Sequence, residues 1–375
     1  MTPIMRWQTS LQKPQFSDGK RLEYLDVARG IAMICIVLGH LGLKSVNRVV
    51  YTFHLPIFYF ITGYFISTKT SYLDFMKKKV RTLLVPYLIT CVLLILEAVL
   101  ISFVTGGDVL QSAKDMLLAA VYGAGNPVRK PFSVKPIGAI WFLWATFWAS
   151  MMLRYLVTCR RWIRIIVVAV VFVSSFYSAN VIWLPFSLQA GGCALLFLYL
   201  GYLLRKMGSF IKSLDKEVKI IAFLAAVFIW CYAIRHFAGF YLVHCRIPNG
   251  VIDVLGSIGG CLVLIELSKQ IVRYTSHISG ILVFAGKYSL LFLCIHLVEL
   301  SGFPWGYLVR YILAVVQLPS EKIYYMMVVM ILKVTFIFCT AYLATKSKMV
   351  LKLFGFVPLR ESVSQCGQSN TGLLK

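Results

Sequence analysis

Arg29 and His40 stand eleven positions apart in an otherwise apolar stretch, Arg29-Gly-Ile-Ala-Met-Ile-Cys-Ile-Val-Leu-Gly-His40. At 3.6 residues per turn this offset is about three turns, so a helix carries both side chains on one face, roughly 16 Å apart along its axis. The stretch is apolar enough for a bilayer, where an arginine costs roughly 2.5–3.5 kcal/mol on insertion scales. Two such groups on one face need a reason. The pair supplies a fixed cation and a general-base candidate.

Composition says where that helix resides. The chain is 59% hydrophobic and 14% charged, with mean hydropathy +0.81, against roughly 45–50% and about 25% in soluble chains. It reads as an all-α integral membrane protein. The net charge of +24 collects between apolar runs, where it marks topology rather than a nucleic-acid partner. The ten cysteines are scattered and form no CxxC pair, which fits buried reduced thiols and no metal site. No signal-peptide pattern opens the chain, so the first helix is expected to be retained.

Windows of about 20 apolar residues give about ten transmembrane helices, near 27–43, 49–67, 82–104, 137–156, 163–180, 184–204, 218–237, 251–271, 281–300 and 323–345. Lys and Arg alternate between rich and poor loops. Rich segments include Lys13/Lys20/Arg21, Lys77/Lys78/Lys79/Arg81, Arg160/Arg161/Arg164 and Arg360. The positive-inside rule then places both termini in the cytoplasm. The expected organisation is a tail at 1–22, a membrane domain at 23–348 and a tail at 349–375. Gly256-x-x-x-Gly260 and Gly191-Gly192 read as small-residue packing patches.

In this topology Arg29 lies toward the cytoplasm and His40 in the outer half. His54, His296 and Glu299 fall at the level of His40, the four coming from three separate helices, with His296 and Glu299 three apart on one face. Lys77–Lys79 and Arg81 lie at the level of Arg29, as does Glu266; Lys333 and Glu97 sit within helices. Structural explanations stand beside each: interfacial placement for His54, a hydrogen-bonded core residue for His296, an ion-pair partner for Glu266, lipid anchoring for Lys77–Arg81. Walker, dinucleotide, HExxH and GxSxG patterns are absent. A positioned histidine then works best as a base on an external hydroxyl.

These residues also resemble a known family. "LDVARGIAMICIVLGH" is similar to the signature of the membrane acyltransferase 3 family, and "FHLPIFYFITGYF" to its fucose 4-O-acetylase-like branch. "FMKKKVRTLLVPYL", "IWFLWATF" (with Trp141) and "YSLLFLCIH" resemble later elements in the right order. Thr62-Gly63 departs from the Ser-Gly of many relatives but keeps a hydroxyl. The resemblance implies transfer of an acetyl group from cytoplasmic acetyl-CoA to a sugar hydroxyl on a lipid-linked or surface glycan, at a bacterial inner membrane. Arg29, Lys77, Lys78, Lys79 and Arg81 would hold the donor's phosphates. His40 would be the base, with His54, Tyr64, His296, Glu299 and Trp141 on the acceptor side. Many members carry an SGNH hydrolase-like domain; none is expected here, which implies that the chain completes transfer alone or hands the acyl group to a partner. A transporter or flippase, or a non-catalytic sensor with Arg29 neutralised structurally, are the competing readings.

Overall fold

A computed structural model describes residues 22–317 and 322–356. Lys13, Lys20, Arg21, Arg360 and most of both expected tails lie outside the described residues.

The first helix, α1 (Glu23–Gly39), opens with Glu23 and Asp26 in its first turn, where carboxylates favour the positive end of the helix dipole. After it come α2 (Lys44–Val50), α3 (Pro56–Tyr64), α4 (Tyr72–Lys79) and α5 (Val85–Val104). A π-helical turn, Val80–Leu84, joins α4 to α5 just ahead of Pro86, whose missing N–H cannot extend an ordinary ladder. The chain continues with α6 (Val109–Tyr122), α7 (Trp141–Leu156), α8 (Arg161–Val181), α9 (Leu188–Lys206), α10 (Lys216–Arg235) and α11 (Val251–Tyr274). It closes with α12 (Ser276–Lys287), α13 (Ser289–Gly302), α14 (Trp305–Val315) and α15 (Lys322–Ala344), plus short helical pieces at Gly208–Ser213 and Lys348–Leu353. Among the described residues, extended pairing is limited to two isolated bridges, Val128 with Val134 and Tyr241 with Arg246.

Among the described residues, six helices are long and apolar enough to cross a membrane, or seven if α12 and α13 count as one bent span. This supports a multi-pass membrane protein; two of the ten expected windows are not single straight helices. The window 49–67 is not one helix: α2 ends at Val50, turns follow, and α3 restarts at Pro56 for nine residues. Window 281–300 bends by 75° between α12 and α13, where Tyr288 leaves helical dihedrals (φ −104°, ψ 20°). Hydropathy registers apolar length but not this break, which follows from packing: α12 lies along α1 while α13 turns away to meet α5 and α15.

Burial is uneven. Helix α1 is enclosed along most of its length, whereas α8 and α10 leave most apolar side chains on the outside, as lipid-facing helices do. The tight contacts are made through glycine. A Cβ on Gly30 would overlap the Leu282 carbonyl of α12, and one on Gly286 would overlap that of Asp26 in α1. Gly63 and Gly201 do the same for α3 and α9, against Leu198 and Phe60. Gly256, Gly260, Gly191 and Gly192 also sit against neighbouring side chains, in keeping with small-residue helix packing. Gly63→Leu is therefore expected to cost about 1–3 kcal/mol or more through overpacking. Gly280→Ala, which meets open space, should leave the melting temperature in detergent unchanged.

Candidate active site

A cavity of about 500 Å³ enters the bundle alongside α1. Arg29, Met33, Ile36 and His40 form one wall, the i, i+4, i+7, i+11 face that the spacing predicts. The other walls come from α3 (Phe58, Thr62) and the turn before it (Tyr51, His54), from Leu83 on the π turn, from α7 (Trp141, Phe142, Thr146) and from α13 (Ser289, Leu293, Leu297). Loop residues Asn126, Tyr241 and His244 close the rim. Arg29 and His40 thus share one cavity, roughly 16 Å apart along the helix axis.

At the Arg29 end, the guanidinium lies 3.7 Å from Asp26 Oδ1, one turn back on α1, and 5.8 Å from the centre of the Phe65 ring. Asp26 is buried, so it partly balances a cation that still faces the cavity. The sequence reading missed it, although the i, i+3 spacing was visible. Of the expected basic cluster, Lys79 lies near enough to Arg29 to feel its charge, with its ammonium 5.6 Å over Phe75. Lys77, Lys78 and Arg81 are exposed. None of the four lines the cavity itself.

The His40 end brings together what the sequence scattered. The His40 and His296 rings are 5.2 Å apart, tilted by 55°, and the electrostatic neighbours of His40 include His54, Lys333 and Glu299. His296 is fully buried, its Nδ1 2.7 Å from Glu299 Oε1. Glu299 also receives Lys333 Nζ at 3.4 Å and the Trp305 indole N–H. A carboxylate only accepts, so Nδ1 of His296 carries the proton and Nε2 is left with a lone pair; Nε2 has no hydrogen-bond partner among the described residues. The same logic applies to His54, whose Nδ1 is 2.7 Å from the Val50 carbonyl. No hydrogen bond to a described side chain or backbone group fixes the His40 ring, and His40 is exposed to the cavity.

The expected acceptor-side residues therefore divide. His54 and Trp141 line the cavity. His296 and Glu299 stand behind its wall, where Glu299 is engaged three times over; its position suits holding His296 rather than touching a ligand. Tyr64 lies apart from the other acceptor-side residues. Nine residues of α3 carry it away from His54 to the Arg29 end, where its ring packs on Phe65 at 5.4 Å. Lys333 gains a partner in Glu299 that its sequence did not reveal. Glu266 pairs with Lys269 at 2.8 Å, the structural role weighed for it. Glu97 is half-buried, with Oε2 making no hydrogen bond to the described residues. Among the described residues, no group of His, Cys, Asp or Glu has a metal-holding arrangement.

Membrane-length helices packed around a cavity, with an arginine and a histidine on the face of α1 that lines it, define a multi-pass membrane protein with an internal site. Residues 22–345 match the acyltransferase domain of the acyltransferase 3 family (Acyl_transf_3), and the chain belongs to that family. Nodulation protein NolL of Mesorhizobium japonicum is 27% identical over 165 residues, 40% of this chain and 39% of that protein. Nodulation protein NolL of Sinorhizobium fredii is 31% identical over 146 residues, 35% of each chain. The chain thus aligns with under half the length of these curated relatives. No solved structure matches.

Proposed function

We propose that this membrane acyltransferase moves an acetyl group from cytoplasmic acetyl-CoA to a hydroxyl of a cell-surface or lipid-linked glycan, in a bacterial inner membrane with both termini cytoplasmic. The observation that carries the reading is the single cavity bounded by Arg29 and His40 on one face of α1. Acetyl-CoA is an anionic donor with a long, thin pantetheine arm. Arg29, with Lys79 nearby and Lys77, Lys78 and Arg81 beyond, suits the phosphates. The arm follows the apolar wall of Met33 and Ile36 toward His40.

The chemistry at that end is acyl transfer by general base catalysis. His40 takes the proton of the sugar hydroxyl as its oxygen attacks the thioester carbonyl. The C–O bond forms, the C–S bond breaks, and the proton returns to the leaving thiolate. His54, with its Nε2 lone pair turned to accept, suits holding a neighbouring hydroxyl. The fucose 4-O-acetylase-like branch, with its 6-deoxyhexose acceptors, belongs to this proposal as the first class to try.

The test uses membranes containing the full chain and acetyl-CoA labelled in the acetyl group. Label should appear in base-labile esters on glycan. Arg29→Gln should raise the KM for acetyl-CoA about tenfold or more, the loss of one charged hydrogen-bonded contact. Movement of glycan without any covalent label would instead establish a transporter or flippase.

A further inference from the structure

Asn126 and His244 belong to loops 118 residues apart, yet the Asn126 amide nitrogen lies 2.7 Å from His244 Nε2. Both residues line the cavity, and both are only half-buried. The chemistry at Arg29 and His40 does not use them.

The two loops that carry them are built rather than slack. The Asn126 loop begins at Gly123, in the left-handed region (φ +59°) at the end of α6, whose carbonyl accepts from the Ser187 hydroxyl. It is then tied by Ile137 N–H to the Ala124 carbonyl at 2.8 Å and by the Val128–Val134 bridge. Gly125 has no room for a Cβ, because Trp141 and Val243 fill that space. The His244 loop is closed by paired 3.0 Å bonds between Tyr241 and Arg246. Binding there would order little new backbone, which is what a preorganised site requires.

A row of aromatic rings connects these loops to the base. Tyr51 donates its hydroxyl proton to the Gly39 carbonyl at 3.2 Å, one residue from His40. Its ring is 5.0 Å from His54 and 5.4 Å from Tyr241. Tyr241, in turn, begins the turn that presents His244. Trp141 lines the same region. Aromatic faces beside an amide and an imidazole are matched to a ligand with apolar C–H faces and a ring of hydroxyls.

We propose that Asn126 and His244 form the specificity subsite for the acceptor sugar, reading its hydroxyls beyond the one being acylated; the inference rests on the acyl-transfer reading above. Their mutual contact uses one amide proton and one ring nitrogen. The second amide proton, the amide oxygen and the other ring nitrogen make no hydrogen bond to the described residues and are available to the ligand. Burial, and secondarily the charge of Arg246, lower the pKa of His244 from the ordinary histidine value. The neutral ring then accepts from Asn126 at Nε2 and donates from Nδ1. This pair orients and selects; it transfers no proton in the reaction.

The experiment uses the full chain in native membranes with labelled acetyl-CoA. The acceptor probe is an envelope glycan extract from the source organism, freed of O-acetyl groups by mild base. Half-saturating concentrations of extract and of acetyl-CoA are measured separately. Asn126→Ala and His244→Gln should each raise the value for extract about tenfold, the loss of one or two hydrogen bonds, and leave that for acetyl-CoA within about twofold. Elution as a single folded species in detergent is checked for each variant. Wild-type transfer with unchanged saturation by extract in the variants overturns the subsite alone, as does an equal shift for acetyl-CoA. Wild-type membranes that label no glycan overturn the acyl-transfer reading and the subsite with it.

Discussion

His40→Ala is expected to lower the rate of acyl transfer by roughly two to four orders of magnitude, the range over which a positioned general base contributes. The protein should still insert and elute normally. The His40 ring faces the cavity and is held by no hydrogen bond to the described residues, so its removal leaves no buried partner unsatisfied. That combination separates a chemical role from a structural one. Two further readouts sharpen it. On the proposed reading the half-saturating concentration of acetyl-CoA should change little, because the donor's charge would be held some three helical turns away at Arg29. Added imidazole should restore part of the rate, since the truncated side chain leaves room against His296, whose ring lies 5.2 Å from that of His40. A His40→Ala enzyme that transfers acetyl at near wild-type rate would remove His40 from the mechanism.

The second large effect concerns the charge behind the wall. Lys333 and Glu299 are both nearly inaccessible, with Nζ 3.4 Å from Oε2, and Glu299 in turn holds His296. Removing one member of a buried ion pair strands the other, at a cost of about 3–5 kcal/mol. Lys333→Met should therefore lower the melting temperature sharply in fluorescence-monitored size-exclusion measurements. Glu299→Gln added to Lys333→Met should recover much of that loss, because no unpaired charge is then left in the core. A double variant as unstable as the single one would mean that Lys333 contributes through packing on Trp305, whose ring its ammonium overlies at 5.7 Å, rather than through the Glu299 charge.

Both predictions draw on groups that the sequence marked unequally. His40 was legible because a helix repeats every 3.6 residues, and an arginine eleven positions earlier must share its face. Lys333 was legible only as a costly anomaly, since nothing local connects it to a glutamate 34 residues away. Treating 49–67 as one span hid the turn before Pro56. The rim residues Asn126 and His244 gave no periodic signal at all, because loops place side chains by turns and bridges rather than by a repeat.

By itself, then, the sequence determined that the chain is helical and membrane-bound, that Arg29 and His40 share a face, and which segments resemble the acyltransferase 3 family. Those properties depend on composition and on short-range spacing, which the order of residues specifies directly. The tertiary structure alone decided that α12 and α13 break apart at Tyr288, that Glu299 collects His296, Lys333 and Trp305, and that two distant loops meet over the His40 end of the cavity. Such pairings depend on which helices approach closely enough to touch. That approach is set by glycines such as Gly30, Gly63, Gly201 and Gly286, each fitted against the backbone of a partner helix far away in the chain.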